Sequence, residues 1–303
     1  MIQNIELKRI KTGGSNEPSA LVNGNRVPYF TYSLFEQYKD KVKTIFTTRF
    51  GGVSEGDLSS LNLSFTRGDE PANVMSNFEK VAQILGISIN QFIFSHQTHT
   101  TNIRLVTKED MGKGIVRPLD YENIDGLITN EPGICLSLFF ADCVPVYFYD
   151  PRTNGIGLAH SGWKGTVGQI SAQMIRLMEQ SFGTKPEDLL VVIGPSICPS
   201  CYEVSEDVAK EFAFAYNLDL KCLDYSESVI DYESSILING KMGGKYQLNL
   251  WQAIRQTLLN NGVKTEHIQG PDVCTCCNPN ILFSHRASGG KRGNLGAFMM
   301  LNE

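Results

Sequence analysis

The chain has little histidine, little tryptophan and no large excess of charge of either sign. Its 303 residues include five histidines, two tryptophans and 19% charged residues, with a formal net charge of −5. That balance offers no basic field for nucleic acid or an anionic membrane surface. No stretch approaches the roughly 20 continuous apolar residues of a membrane helix. The first residues, Met1 to Arg9, lack the apolar core of a secretion signal. A soluble, cytoplasmic protein without nucleic-acid or membrane partners is therefore expected. The histidines are too scattered for a His-rich tract, and no two of them form His-x-His. With 42% hydrophobic residues the chain can bury a full core, and its length suits one large domain or two ordinary ones.

Eight cysteines are present. Without an export signal they are not read as disulfides. Cys135 and Cys222 read as ordinary buried thiols. Cys198 and Cys201, in Cys-Pro-Ser-Cys, and the run Cys274-Thr275-Cys276-Cys277 raise a second metal site or a redox pair. Paired Cys-x-x-Cys knuckles at zinc-finger spacing are not recognised in them, so packing thiols are the expectation.

Neither an internal repeat nor a long linker divides the chain, and Lys11 to Ala20 reads as a hairpin or loop. Lys43 to Thr48 is a predicted strand. Asp69 is placed to cap a helix beginning at Glu70-Pro71, with Val74, Phe78, Val81 and Leu85 on one side and Gly86 as its stop. A second helix follows Trp163-Lys164-Gly165. It carries Val167, Ile170, Met174, Leu177 and Met178 at helical spacing and ends at Gly183. Those methionines read as a core stripe rather than copper ligands.

Leu189 to Ile193 is a further strand. A third helix runs through Val208 and Phe212, and a fourth from Asn249 through Leu250, Ile254 and Leu258 to Gly262. Ile281 to His285 and Gly296 to Leu301 suggest a hairpin. Strands 134–140, 143–149 and 155–159 are separated by too little chain for crossover helices, so antiparallel or mixed pairing is expected among them. The fold class is α+β, with mixed sheets covered by helices.

Three residues carry the clearest chemistry. His99 lies in Ser95-His96-Gln97-Thr98-His99-Thr100, Cys143 in Ala141-Asp142-Cys143-Val144-Pro145, and His160 in Ala159-His160-Ser161-Gly162-Trp163-Lys164-Gly165. Each follows a short apolar run that reads as a buried strand, and loops past strand ends are where chemistry usually sits. Two imidazoles and a thiolate supply three ligands of a tetrahedral Zn²⁺ and leave one position open, as in a catalytic metal site. Strand parity puts His96 and His99 on opposite faces but does not choose between them.

Asp142 and Asp125 are candidates to orient a ligand imidazole or to move a proton. Asp125 reads equally well as a turn residue before Gly126. Arg49, Lys164 and Arg286 are cations beside glycines in tight loops, suited to a phosphate or a developing anion.

Taken in order, several segments resemble one known family: Thr47-Thr48-Arg49-Phe50-Gly51-Gly52-Val53-Ser54, Gln97-Thr98-His99, Asp125-Gly126-Leu127-Ile128-Thr129, Ala141-Asp142-Cys143-Val144-Pro145 and Ala159 to Gly165. Gly194-Pro195-Ser196-Ile197, Cys201-Tyr202-Glu203-Val204 and Phe283-Ser284-His285-Arg286 extend the match. The family is that of the YfiH/YlmD laccase-domain proteins, once called multicopper polyphenol oxidases and more recently assigned as purine nucleoside phosphorylases and adenosine deaminases. The resemblance spans about residues 43 to 300, nearly a whole domain by ordinary domain sizes.

This resemblance implies one catalytic domain over residues 1–303 with a four-layer α/β/β/α fold. It selects His99 over His96, with Cys143 and His160 as the other metal ligands. It also implies one Zn²⁺, with Cu²⁺ as an alternative, and phosphorolysis of adenosine, inosine and S-methyl-5'-thioadenosine alongside adenosine deamination. The expected catalytic residues are Asp142, Cys143 and His160, with Arg49, Lys164 and Arg286 binding substrate or phosphate. One departure stands out: the family's Gly-Lys-Thr-Gly-Arg loop is here Gly290-Lys291-Arg292-Gly293-Asn294, so the role of its second arginine has either passed to Arg292 or been lost.

Two other functions compete. A His₂Cys set resembles a blue-copper site, but a chain without His-x-His lacks the paired ligands of a trinuclear oxygen-reducing cluster. A metal-free cysteine hydrolase would use Cys143 as nucleophile and a histidine as base.

Overall fold

Strands buried on both faces build the centre of the fold. The computed structural model describes residues 6–10, 19–24, 27–220, 235–240 and 243–303; Cys222 and most of the Lys11 to Ala20 segment lie outside them. In chain order the elements begin with β1 (Ala20–Gly24), β2 (Val27–Thr31), α1 (Ser33–Glu36), β3 (Val42–Thr47), α2 (Pro71–Leu85), β4 (Phe92–Phe94) and β5 (Ile103–Leu105). They continue with β6 (Gly126–Thr129), β7 (Cys135–Phe140), β8 (Val144–Asp150), β9 (Gly155–Ser161), α3 (Trp163–Val167), α4 (Ile170–Phe182) and β10 (Leu190–Ile193). The last are β11 (Glu203–Ser205), α5 (Glu206–Tyr216), β12 (Leu237–Asn239), β13 (Lys245–Leu248), α6 (Leu250–Asn260), β14 (Ile268–Gln269), α7 (His285–Ser288) and β15 (Leu295–Leu301).

Two six-stranded mixed sheets, ordered β1-β2-β3-β15-β7-β4 and β14-β10-β8-β9-β6-β5, pack face to face; a small third sheet is ordered β11-β13-β12. Side chains alternate between the faces of each strand. On β8, Tyr147 and Tyr149 enter the core between the sheets with Phe46, Leu138 and Ala297 of the first sheet. Val144, Val146 and Phe148 of the same strand point the other way, onto Met174, Met178, Phe212 and Ile254 of α4, α5 and α6. On β15, Ala297 and Met299 face between the sheets, whereas Phe298 and Met300 pack under Val74, Phe78 and Val81 of α2. The result is the four-layer α/β/β/α arrangement of an α+β fold.

Several expectations are met in this frame. α2 carries its apolar residues on one side and stops at Gly86, which is left-handed at φ 70°. Asn249 caps α6 by accepting the Gln252 N–H at 3.1 Å. Met174 and Met178 are fully buried core residues. Gly157 of β9 lies so close to the Met174 side chain that a Cβ there would collide with it, which lets α4 sit directly on the second sheet. Among the described residues, no helix is long and apolar enough to cross a membrane.

Four details differ. β7 and β8 do not pair; they belong to opposite sheets, because the short Ala141–Cys143 link carries the chain from one layer to the other. The helix after Trp163 is two helices, because Gln169 takes a left-handed conformation (φ 59°) that interrupts the hydrogen-bond ladder. The N-cap of α2 is Glu70, and Asp69 instead accepts Ser54 Oγ at 2.7 Å and Asn62 Nδ2 at 2.9 Å. There is no 281–301 hairpin: β15 pairs with β3 and β7, and His285–Ser288 is a short helix capped by Ser284.

Phe78 of α2 is fully buried and touches Phe65, Phe92, Phe94 and Phe139. Phe78→Ala is expected to destabilise the fold by about 3–5 kcal/mol, the usual cost of emptying a phenylalanine site. Urea denaturation of the variant beside the parent protein measures it.

Candidate metal centre and anion cluster

The candidate site lies where the two sheets exchange chain. Asp125, the residue before β6, is completely buried. β6 and β9 are antiparallel neighbours with Gly126 opposite Ala159, so Asp125 falls next to His160, whose N–H donates to the Asp125 carbonyl at 2.7 Å. The Asp125 carboxylate also accepts the backbone N–H of Thr98 (3.1 Å), His99 (3.0 Å) and Thr100 (2.7 Å). Thr100 Oγ1 (2.9 Å) and the His160 ring Nδ1 (2.7 Å) complete its partners. One carboxylate thus shapes the 98–100 loop and orients the imidazole of a different strand. With Nδ1 of His160 committed to Asp125, Nε2 is the ring nitrogen left for another partner.

His99, Cys143 and His160 are brought together, with one ligand atom from each within 4.8 Å of the others. Cys143 Sγ is 3.8 Å from His99 Nε2. Tetrahedral Zn²⁺ with bonds of about 2.0–2.1 Å to nitrogen and about 2.3 Å to sulfur separates such a pair by about 3.6 Å. A Cβ on Gly162 would lie 2.9 Å from His99 Cδ2 and 3.0 Å from Cys143 Sγ, so only glycine leaves the cradle open. His99 itself is left-handed (φ 64°), a conformation held by its N–H bond to Asp125. The donor set, its spacing and its orienting carboxylate all fit a metal ion.

The electrostatics of the group are coupled. Burial pushes the Asp125 carboxyl up, but His160 and the amides of Thr100 and Thr98 outweigh it and hold it at about 2. Burial opposes charge on His160, yet Cys143 and Asp125 lift its pKa to about 9. The Cys143 thiol is likewise raised by burial but drawn down to about 6 by His160 and His99. A thiolate ready to bind a cation results.

These residues open onto a cavity of about 790 Å³, also lined by Asp142, Lys164, Tyr202, Arg286, Phe65 and Phe94. Asp142, left-handed at φ 91°, accepts Thr275 Oγ1 at 2.6 Å and the Arg286 N–H at 2.7 Å. The Arg286 guanidinium donates to the carbonyls of Cys201 and Glu203, both at 3.1 Å, and lies over the Tyr202 ring.

Arg49 is not brought to the cavity. Its guanidinium donates to the carbonyls of Ser59 (2.8 Å) and Pro279 (2.9 Å) and covers the Phe283 ring, so it ties loops together. His96 lines the cavity but stands outside the ligand cluster, with Nδ1 accepting the Asn123 N–H at 3.1 Å. Asp125, left open between turn and orienting residue, is the orienting one.

Residues outside the expected binding set complete the wall. Arg67 and Arg292 line the cavity with His285. Burial, followed by the nearby Arg67, lowers the Arg292 guanidinium to about 10, and its Nε is buried without a hydrogen-bond partner. Burial and then Arg292, together with Arg67 and Arg286, lower His285. Like charges crowded in this way repel one another and make this part of the cavity electropositive. Arg292 had a signal, the displaced arginine of its glycine-rich loop; Arg67, in a polar turn, had none.

His99→Ala is expected to abolish metal binding at the triad, whereas His96→Ala keeps it. Asp125→Asn is expected to weaken zinc affinity by about 10- to 100-fold, the usual cost of losing an orienting partner. Competition with a chromophoric chelator reads all three variants.

The sequence profile of the family described as multi-copper polyphenol oxidoreductase laccase matches residues 43–302. A protein of Bacillus subtilis named purine nucleoside phosphorylase YlmD is 32% identical over 290 residues, covering 94% of this chain and 98% of that protein. Its namesake in Geobacillus stearothermophilus is 36% identical over 254 residues, covering 84% and 88%. The crystal structure of YlmD from Geobacillus stearothermophilus superposes with a TM-score of 0.80 at 33% identity, covering 94% of this chain and all of that one. That of the Bacillus licheniformis hypothetical protein YfiH gives 0.79 at 34%, covering 90% and 96%. With its four layers and this extent of likeness, the chain belongs to the YlmD/YfiH family of laccase-domain proteins.

Proposed function

We propose that this protein is a metal-dependent purine nucleoside phosphorylase that also deaminates adenosine. The observation that carries the reading is the pairing, on one cavity, of a His-Cys-His ligand set with an arginine cluster. Phosphorolysis needs a place for inorganic phosphate as well as for the nucleoside, and a guanidinium cluster supplies it. The cavity volume suits a nucleoside and phosphate together. The relatives named above carry the phosphorylase part of this reading, purine nucleoside phosphorylase, in their names.

In this reading His99, Cys143 and His160 hold the ion, which we assign as Zn²⁺ because imidazole and thiolate donors suit it; Cu²⁺ suits the same donors. Bound there, the ion supplies a Lewis acid at the cavity wall. Arg67, Arg286, Arg292 and Lys164 hold phosphate, with Arg286 kept in place by the carbonyls of Cys201 and Glu203. Phe65, Phe94 and Phe139 give the purine an apolar wall. A phosphate oxygen forms a bond to C1′ of the ribose as the bond from C1′ to the purine nitrogen breaks. The proton that phosphate loses is carried to the departing base, and we give that task to Asp142. Adenosine, inosine and S-methyl-5'-thioadenosine share the purine and the ribose C1′ on which this chemistry acts.

The test is to incubate the enzyme with adenosine, with and without phosphate, and to separate the products by liquid chromatography. Adenine only with phosphate establishes phosphorolysis, and inosine without phosphate establishes deamination. His99→Ala is expected to lose both. Neither product from the zinc-loaded enzyme would overturn the reading; activity that survives chelation but is lost on alkylation of Cys143 would replace it with a cysteine hydrolase. Arg292→Ala is expected to raise the KM for phosphate roughly tenfold or more, since charge-assisted hydrogen bonds contribute about 1.5–3 kcal/mol each. Initial rates across a phosphate series measure this.

A further inference from the structure

Behind the Arg286 side of the cavity, two segments far apart in sequence bring four thiols to one point. Cys198, Cys201, Cys274 and Cys277 have their sulfurs within 4.8 Å of one another. Cys201 and Cys277 are 3.5 Å apart, and Cys198 and Cys277 3.9 Å. None is in a disulfide, and these separations far exceed the S–S bond of about 2.05 Å. They are close to the spacing of about 3.8 Å that four sulfurs adopt around a tetrahedral zinc with bonds of about 2.3 Å.

The packing thiols expected from the sequence are in fact two Cys-x-x-Cys turns, Cys198-Pro-Ser-Cys201 and Cys274-Thr-Cys-Cys277, that meet only in the folded chain. Cys276 points elsewhere and takes no part in the cluster.

Two backbone amides are directed at one of the sulfurs. The N–H groups of Cys198 and Cys277 both donate to Cys274 Sγ, at 3.2 and 3.4 Å. Amides directed at a sulfur stabilise its thiolate form and orient it as a ligand. The two segments are also laced by backbone bonds, Ser196 N–H to the Val273 carbonyl (3.3 Å) and Thr275 N–H to the Ser196 carbonyl (3.2 Å). Cys198 and Cys274 are fully buried, while Cys201 and Cys277 reach partway to the surface.

We propose that these four cysteines form a second, closed metal site that binds one zinc ion as a tetrathiolate. Four protein ligands leave no position for substrate, so this ion is structural. It fastens the segment carrying Tyr202, and the Cys201 and Glu203 carbonyls that hold Arg286, to the segment whose Thr275 holds Asp142. The site is independent of the His99-Cys143-His160 centre and of the reaction assigned to it.

Elemental analysis of protein purified with reductant and without chelator tests this directly. The His99→Ala/Cys143→Ala double variant, which lacks the open centre, is expected to retain one zinc per chain. Its cobalt-substituted form is expected to show the intense thiolate-to-cobalt charge transfer of four sulfur ligands. Adding Cys198→Ser and Cys277→Ser is expected to remove that zinc and lower the melting temperature. The wild-type protein gives a second readout that does not depend on any variant folding: brief chelation is expected to leave one tightly held zinc. No zinc in the double variant, iron in its place, or a disulfide within the cluster of the freshly purified protein would overturn the proposal.

Discussion

The carboxylate of Asp125 is the interaction on which the candidate centre depends. A buried charge is tolerated only where its lone pairs are taken up, and here three backbone amides, a hydroxyl and an imidazole take them up. The same bonds that solvate the charge determine where His99 and His160 stand. The loop from β4 to β5 crosses from the first sheet to the second, where β9 lies, so Asp125 pins this crossing close to the one that carries Cys143. Candidate ligands on two inter-sheet links and one strand are thereby held in place by the protein itself.

A second constraint is burial of the central strands on both faces. β8, β9 and β15 have no exposed residue along their lengths. Such strands form a scaffold too densely packed to shift, and the chemistry is confined to their ends. The cavity lies at those ends, walled by strand ends, short helices and loops, and two of its wall residues are held by specific bonds. Asp142 accepts from Thr275 Oγ1 and the Arg286 amide, and the Arg286 guanidinium donates to the carbonyls of Cys201 and Glu203. The cysteine cluster sits directly behind those carbonyls. The wall that presents the arginines is therefore braced from the rear by groups that never touch the cavity interior.

Much of this arrangement was legible residue by residue. His99, Cys143 and His160 stood out because two imidazoles and a thiol beside short apolar runs have few other uses together. The apolar faces of α2, α4 and α6 followed from helical spacing. Arg49 misled because a cation beside glycines has the same local appearance whether it binds substrate or holds loop carbonyls. The 163–182 helix was read as continuous because the apolar stripe of α4 extends to Val167 across the left-handed Gln169.

Chemistry and local form were readable along the chain: the candidate ligand types, the helix faces, the turn glycines and the membership of a family. Those properties reside in single residues or in spacings of a few positions. Long-range packing alone assigned each strand to its sheet, since β7 and β8 are mostly apolar and buried and carry no alternation to assign their faces. It also decided that Arg67 and Arg292, rather than Arg49, reach the cavity, and that two distant Cys-x-x-Cys turns converge. These outcomes depend on contacts between residues far apart along the chain, where no local period exists and the packing of whole layers sets the distances.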